Sequence, residues 1–157
     1  MDEFRIPKRR VHARFTLTGG ASREVALFLA QTSPEHGGPE RLSDLLNGGV
    51  AFIPALDLAT DRMLFVNRLG LMVAWLSAED EKDTVDQLTI PTEHEVEIHL
   101  TDGQVVRGLV TYVLPESHSR LTDFLNEAAP FFRLLELEGG VALINKHHVA
   151  YVESLTR

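Results

Sequence analysis

Seven histidines are the side chains of this 157-residue sequence that most invite a metal. Their spacing argues against one. His147 and His148 are neighbours, so in extended chain they point to opposite faces, and His94 and His99, an odd number apart, diverge for the same reason. Neither HxxxH nor HExxH occurs, the spacings that set two imidazoles on one helical face. There is no cysteine, which removes thiolate ligands, disulfides and Cys nucleophiles together. A nucleophilic serine would need a strand-to-helix elbow of the GxSxG kind, and none is present, nor is a P-loop or a GxGxxG. The Gly pairs in "TGG", "HGG", "NGG" and "EGG" are isolated and read as turns. Glu136 and Glu138 share one strand face and alternate with Leu, which describes a solvated sheet face rather than an acid–base pair. The expectation is a protein with no enzyme activity, no metal and no cofactor.

Two further carboxylates, Asp44 and Asp123, recur in one context. "RLSDLLN" (41–47) and "RLTDFLN" (120–126) are the same heptad with conservative changes. The flanks follow it. Phe52 falls on Phe131, Leu56 on Leu135 and Leu58 on Leu137. After one residue is lost at a turn, Val66-Asn67-Arg68 falls on Ile144-Asn145-Lys146, and Leu71 and Val73 fall on Val149 and Tyr151. Upstream, "ARFTLTGG" parallels "VEIHLTDG". The chain therefore reads as an internal repeat. Asp44 and Asp123 belong on the exposed side of a short helix, opposite its leucines, and Asn47 and Asn126 should bond the helix end or the next loop.

The elements that must position these residues are clearest in the second copy. "EVEIHL" alternates as a half-buried strand does, and "TDG" is a hairpin turn. "QVVRGLVTYVL" is a longer strand in which Gly108 suggests a bulge or bend, and Pro115 ends it. Ser119 can cap a helix whose apolar face is Leu121, Phe124, Leu125 and Ala128. "FFRLLELE", "VALIN" and "VAYVES" complete five strands. The first copy repeats this order. Five strongly bent strands favour closure into a small barrel, which removes exposed edges. The expected architecture is mainly β with short α insertions: a basic N-terminal arm (1–10), a first barrel (11–76), an acidic linker (77–93) and a second barrel (94–157). The acidic run "AEDEKD" is expected to be solvated. Trp75 and Tyr151, near corresponding ends of the copies, suit core or inter-unit packing.

A formal net charge of −8 argues against a general polyanion binder. The charge is uneven, with Lys8, Arg9, Arg10 and Arg14 concentrated near the start. No signal-peptide core and no run long enough to span a bilayer is found, so a cytoplasmic protein that does not enter membranes is expected.

The second copy resembles the Sm/LSm-like fold, through "VEIHLTDGQVVRGLV" at its opening and "VALINKHHVAYV" at its close. The latter looks like the Lys-His corner of the bacterial Sm-like RNA chaperone. That resemblance implies RNA contacts at Lys146 and His147, with Asn145 beside them, and at Asn67 and Arg68 in the first copy. The chain departs from that family in placing a helix between its second and third strands. A second resemblance is to PilZ domains, whose paired arginines grip a cyclic dinucleotide, here Arg10 and Arg14. The companion motif falls on Asp44–Gly49, with Leu46 where that family has Ser. Three functions follow in order of preference: a protein-binding adaptor or self-associating module, an RNA binder using the corners, and a cyclic-dinucleotide binder.

Overall fold

Strands built on alternating apolar residues need partners on both sides, and in this chain nearly all of them find one in a single sheet. The computed structural model describes residues 8–32, 38–82, 91–113 and 120–155. The first half contains β1 (Lys8–Leu17), β2 (Ser22–Ala30), α1 (Leu42–Leu46), β3 (Phe52–Asp57), β4 (Arg62–Asn67) and β5 (Leu71–Ser77). The second contains β6 (Thr92–Leu100), β7 (Val105–Tyr112), α2 (Leu121–Leu125), β8 (Phe131–Glu136), β9 (Gly140–Asn145) and β10 (Val149–Ser154). One turn of 3-10 helix joins β4 to β5 (Arg68–Gly70), and another joins β9 to β10 (Lys146–His148).

The protein is mainly β, as its alternation implied. The ten strands form one antiparallel sheet in the order β10-β6-β7-β8-β9-β5-β1-β2-β3-β4. The order β5-β1-β2-β3-β4 of the first half thus recurs as β10-β6-β7-β8-β9 in the second. Local irregularities recur too. Thr16 faces Val73 and Leu17 faces Leu71, which leaves Met72 as an extra residue. His99 faces Tyr151 and Leu100 faces Val149, which leaves Ala150 extra in the same way. The sheet is not closed. Closure of the first half would have needed β4 to pair with β5, but β5 already pairs with β1 on one edge and β9 on the other.

The β5·β9 ladder is the seam between two cores. Ala74 faces Leu143 and Leu76 faces Val141, and all four belong to the first-half core. Val73 faces Ile144, and both belong to the second-half core with Met72 and Ala142. A strand buried on both faces must be apolar at consecutive positions, which explains "LMVAW" and "VALI". Phe131 also enters the first-half core, so each half completes its packing with side chains from the other.

Several local expectations change. Lys8, Arg9 and Arg10 are not an arm; they open β1, opposite Ala30, Leu29 and Phe28. Gly108 makes no bulge. The β6·β7 register runs straight through it, and a Cβ there would meet the backbone oxygen of Leu135, so the glycine admits β8 at close range. Helix α2 stops at Leu125, short of Ala128. The acidic run is not wholly solvated, because Glu81 is 1% exposed. The Ser119 cap, the Pro115 stop, residues 1–7 and linker residues 83–90 lie outside the described residues.

Candidate functional site

The two corners are built alike. Asn67 ends β4, and its Oδ1 accepts the Leu69 N–H at 2.9 Å. Asn145 ends β9, and its Oδ1 accepts the His147 N–H at 3.0 Å. Each carboxamide thereby turns the chain into a 3-10 corner. Asn145 does more. It is 2% exposed, and its Nδ2 donates to the carbonyls of Leu71 at 2.9 Å and Arg68 at 3.3 Å. The second corner is therefore bolted to the first, and His148 Nε2 closes the same gap against the Leu69 carbonyl.

The corner cations point at backbone. Arg68 donates to the carbonyls of Leu46, at 3.3 Å, and Gly48. Lys146 Nζ donates to the Glu127 carbonyl at 2.7 Å. Both satisfy oxygens at or just past a helix C-terminus, which have no intrahelical donors. Burial holds the Lys146 ammonium below the ordinary lysine pKa. His147 is exposed and meets His148 edge-on, with ring centroids 5.1 Å apart.

Arg10 and Arg14 lie on the exposed face of β1, four residues or about 13 Å apart along the strand. The Arg14 guanidinium lies 4.9 Å from the centroid of the Trp75 ring, a cation–π contact. Arg9 faces the other way and donates to the Glu40 carbonyl at 2.7 Å and to Asp80 at 3.4 Å.

The heptad residues act as joints. Asp44 Oδ2 accepts the Arg41 N–H at 2.9 Å, while its Oδ1 pairs with the Arg41 guanidinium at 3.0 Å. Arg120 and Asp123 repeat that ion pair at 3.2 Å. Asn126 donates to Thr122 O at 2.8 Å, the expected bond to the helix end. Asn47 instead reaches across the seam and accepts the Phe131 N–H at 2.8 Å.

Two buried carboxylates are tuned in opposite directions. Asp57 accepts the Ala59 N–H at 2.8 Å and the Arg23 guanidinium at 2.8 Å; the backbone bond from Ala59 is the main reason its pKa falls. Glu81 accepts the Ser43 N–H at 3.1 Å, with the Arg133 guanidinium 3.8 Å away. Burial dominates there and raises its pKa.

Glu97, His99 and Glu153 bring their ligand atoms within 4.8 Å of one another. His99 Nε2 is 3.4 Å from Glu97 and 3.8 Å from Glu153, and its ring stacks on Tyr151 at 4.1 Å. Parity along one strand could not find this trio, because its third member arrives through the β6·β10 register. His99 Nε2 makes no hydrogen bond among the described residues, and its contacts with the two carboxylates are ion pairs only when the imidazole carries a proton.

What the residue types concealed is an apolar strip at one end of the sheet. In the β3·β4 hairpin Phe52 faces Asn67, Pro54 faces Phe65 and Leu56 faces Met63. Phe65 is 67% exposed, Phe52 55% and Met63 47%. A groove of about 360 Å³ beside β4 is lined by Leu17, Thr18, Leu64, Phe65, Asn67 and Gly70, among others. Among the described residues β4 is paired on one side only. The signal was present: "FIPALD" and "RMLFVN" carry apolar residues on both faces, which a strand with one solvated face does not need. No protein-family model, no curated protein and no solved structure matches the chain.

Proposed function

We propose that this protein is a non-catalytic binding module of the cytoplasm, made of two copies of one small β unit, whose open sheet edge docks protein. The observation that carries this reading is the exposure of Phe52, Met63 and Phe65 together on the terminal hairpin. Contiguous apolar surface of that kind on a sheet edge marks interaction sites. The recurring strand order and the matched extra residues Met72 and Ala150 support the reading of the halves as copies, and with it the resemblance to Sm/LSm units.

RNA binding at Asn67, Arg68, Asn145, Lys146 and His147 ranks second. The adjacency of the two corners favours it. Against it, Arg68 and Lys146 are occupied by backbone carbonyls and the net charge is −8. Cyclic-dinucleotide binding ranks third, since Arg14 is already stacked on Trp75. A photoreactive benzophenone residue in place of Phe65 tests the leading reading. Protein adducts are expected from that position and none from the same probe at Arg10. Absence of adducts, with salt-dependent retention of RNA on a filter, would replace it with the second reading.

A further inference from the structure

We propose that Glu97, His99 and Glu153 form a binding site for one divalent cation of the zinc class, which clips the terminal strand β10 to β6. The site is assembled by register. Glu97 faces Glu153 and His99 faces Tyr151 across the β6·β10 ladder. Residues two apart share a strand face, so these four stand on the outer face, opposite the buried Val96, Ile98 and Leu100. The site lies at the far end of the sheet from the β3·β4 hairpin, so it stands or falls separately from docking there.

Two carboxylates directly opposite each other repel and weaken a sheet pair. The residue opposite Glu97 on its other side is Arg107 of β7, but that guanidinium donates to Glu95 instead, at 2.7 and 3.1 Å. Among the described residues no lysine or arginine pairs with Glu97 or Glu153, and what the two share is His99. The His99 Nε2 is shut off from solvent yet makes no hydrogen bond among the described residues. Its ring is held in place by the stack on Tyr151. An unprotonated imidazole nitrogen and two carboxylates are three lone-pair donors converging on one point. A buried polar atom without a partner requires a physical reason, and a bound ion is one.

The first half shows the same positions in a form that needs no ion. In the β1·β5 ladder Arg14 faces Trp75 and Thr16 faces Val73. By strand order and register these answer to Glu97 opposite Glu153 and His99 opposite Tyr151. There the side chains satisfy one another. The Arg14 guanidinium lies against the Trp75 ring, and Trp75 Nε1 donates to Thr16 Oγ1 at 3.0 Å. In the second half Glu97 replaces Arg14 and Glu153 replaces Trp75, so both donors have become acceptors, while His99 replaces Thr16.

Geometry and donor type indicate the ion. The three ligand atoms lie within 4.8 Å of one another. Ligands about 2.0–2.1 Å from a tetrahedral zinc are about 3.3 Å apart, so small side-chain rotations close the set. One imidazole nitrogen with two carboxylate oxygens suits zinc, whereas magnesium and calcium take oxygen ligands. The Glu153 side chain is 58% exposed, which leaves a fourth position open to water. The ion would secure a strand that, among the described residues, pairs with β6 alone and has four of its six residues exposed.

Calorimetric titration of zinc chloride into the full-length, chelator-stripped chain tests this, beside thermal melts and hydrogen exchange. One ion per chain is expected to bind, to raise the melting temperature and to slow exchange of the β10 amides. Magnesium at the same concentration is expected to do none of these. Glu153→Gln keeps the shape of an exposed side chain and removes its charge. It is expected to weaken zinc binding at least about tenfold, since even the outer partners of metal ligands cost about that much. By relieving the like-charge pair it should also raise the melting temperature of the metal-free protein. His12→Ala, on β1, is expected to bind zinc as the wild type does. Zinc that binds Glu153→Gln and Glu97→Gln as tightly as the wild type is held by other histidines and overturns the proposal. So does a wild type that binds none at millimolar zinc, an equal response to magnesium, or binding that leaves β10 exchange unchanged. The wild-type exchange pattern needs no variant, so a variant that fails to fold leaves that test intact.

Discussion

Two hairpins of one register meet opposite fates in this molecule. In β8·β9, Phe131 faces Asn145 and Leu135 faces Val141; in β3·β4, Phe52 faces Asn67 and Leu56 faces Met63. The first hairpin is buried against β5 and α1, and the second stands at the end of the sheet. The residues differ little in kind. What differs is whether another strand lies alongside. Burial is here a property of the neighbour rather than of the hairpin's own pattern.

The sharpest way to break that comparison is to truncate matched positions. Leu143→Ala is expected to cost about 2–5 kcal/mol, as buried leucines do, while Phe65→Ala at the corresponding place should stay within about 0.5 kcal/mol in dilute solution. Urea unfolding measures both, and equal losses would erase the distinction. A rise in the Phe65→Ala penalty with protein concentration would instead sharpen it.

The paired asparagines come next. Asn145→Ala removes the amide that donates across the seam to the Leu71 and Arg68 carbonyls and is expected to cost about 1–3 kcal/mol. Asn67→Ala loses only its corner bond, so a smaller loss of about 1 kcal/mol is expected. Similar midpoints for the two would show that the seam bonds contribute nothing extra. Gly108 offers a contrast between β7 and β2, whose matching residue is Val25. Gly108→Ala forces β8 away and should destabilise by about 1–3 kcal/mol; a melting temperature equal to wild type would show that β8 yields freely.

The smallest effect is set by pH. Glu81 has a raised folded-state pKa, so its contribution favours folding fully below the unfolded value near 4.3 and is lost as pH climbs through the folded value. Glu81→Gln keeps an oxygen for the Ser43 N–H and removes the buried charge. Its melting temperature relative to wild type is expected to be better at pH 8 than at pH 4. Asp57 has the opposite sign. Its folded pKa is lowered, so its contribution is present above the unfolded value near 3.9 and disappears as pH falls through the folded one. Asp57→Asn should therefore flatten the acid limb of the stability curve.

Much of the fold was legible because its determinants are local. Period-two alternation marked most strands, "TDG" and "EGG" marked hairpins, and matching heptads placed a short helix in each half. The seam was not legible, because β5 could satisfy its outer edge with any apolar strand. "LMVAW" announces burial on both faces without naming β9. Closure failed as an expectation for that reason: it assumed that each half completes its own core. At the corners, residue types indicated cations, but the carbonyls that Arg68 and Lys146 reach lie at or just past helix ends 19 or more positions away. The edge strip went unread because Phe52 and Phe65 look like core residues until the sheet ends beside them.

The shared cores also impose an order on synthesis. A ribosome releases β1 through β5 before any of β8 or β9 exists. The nascent first half therefore lacks Phe131, Val141 and Leu143, which belong to its own core, and the outer edge of β5, where Val73 meets Ile144, stays unpaired until β9 emerges. Such distant pairing slows folding and leaves apolar surface open meanwhile. The N-terminal half of the chain is a receptor waiting for its own C-terminal half, and the first encounter it must win is with itself.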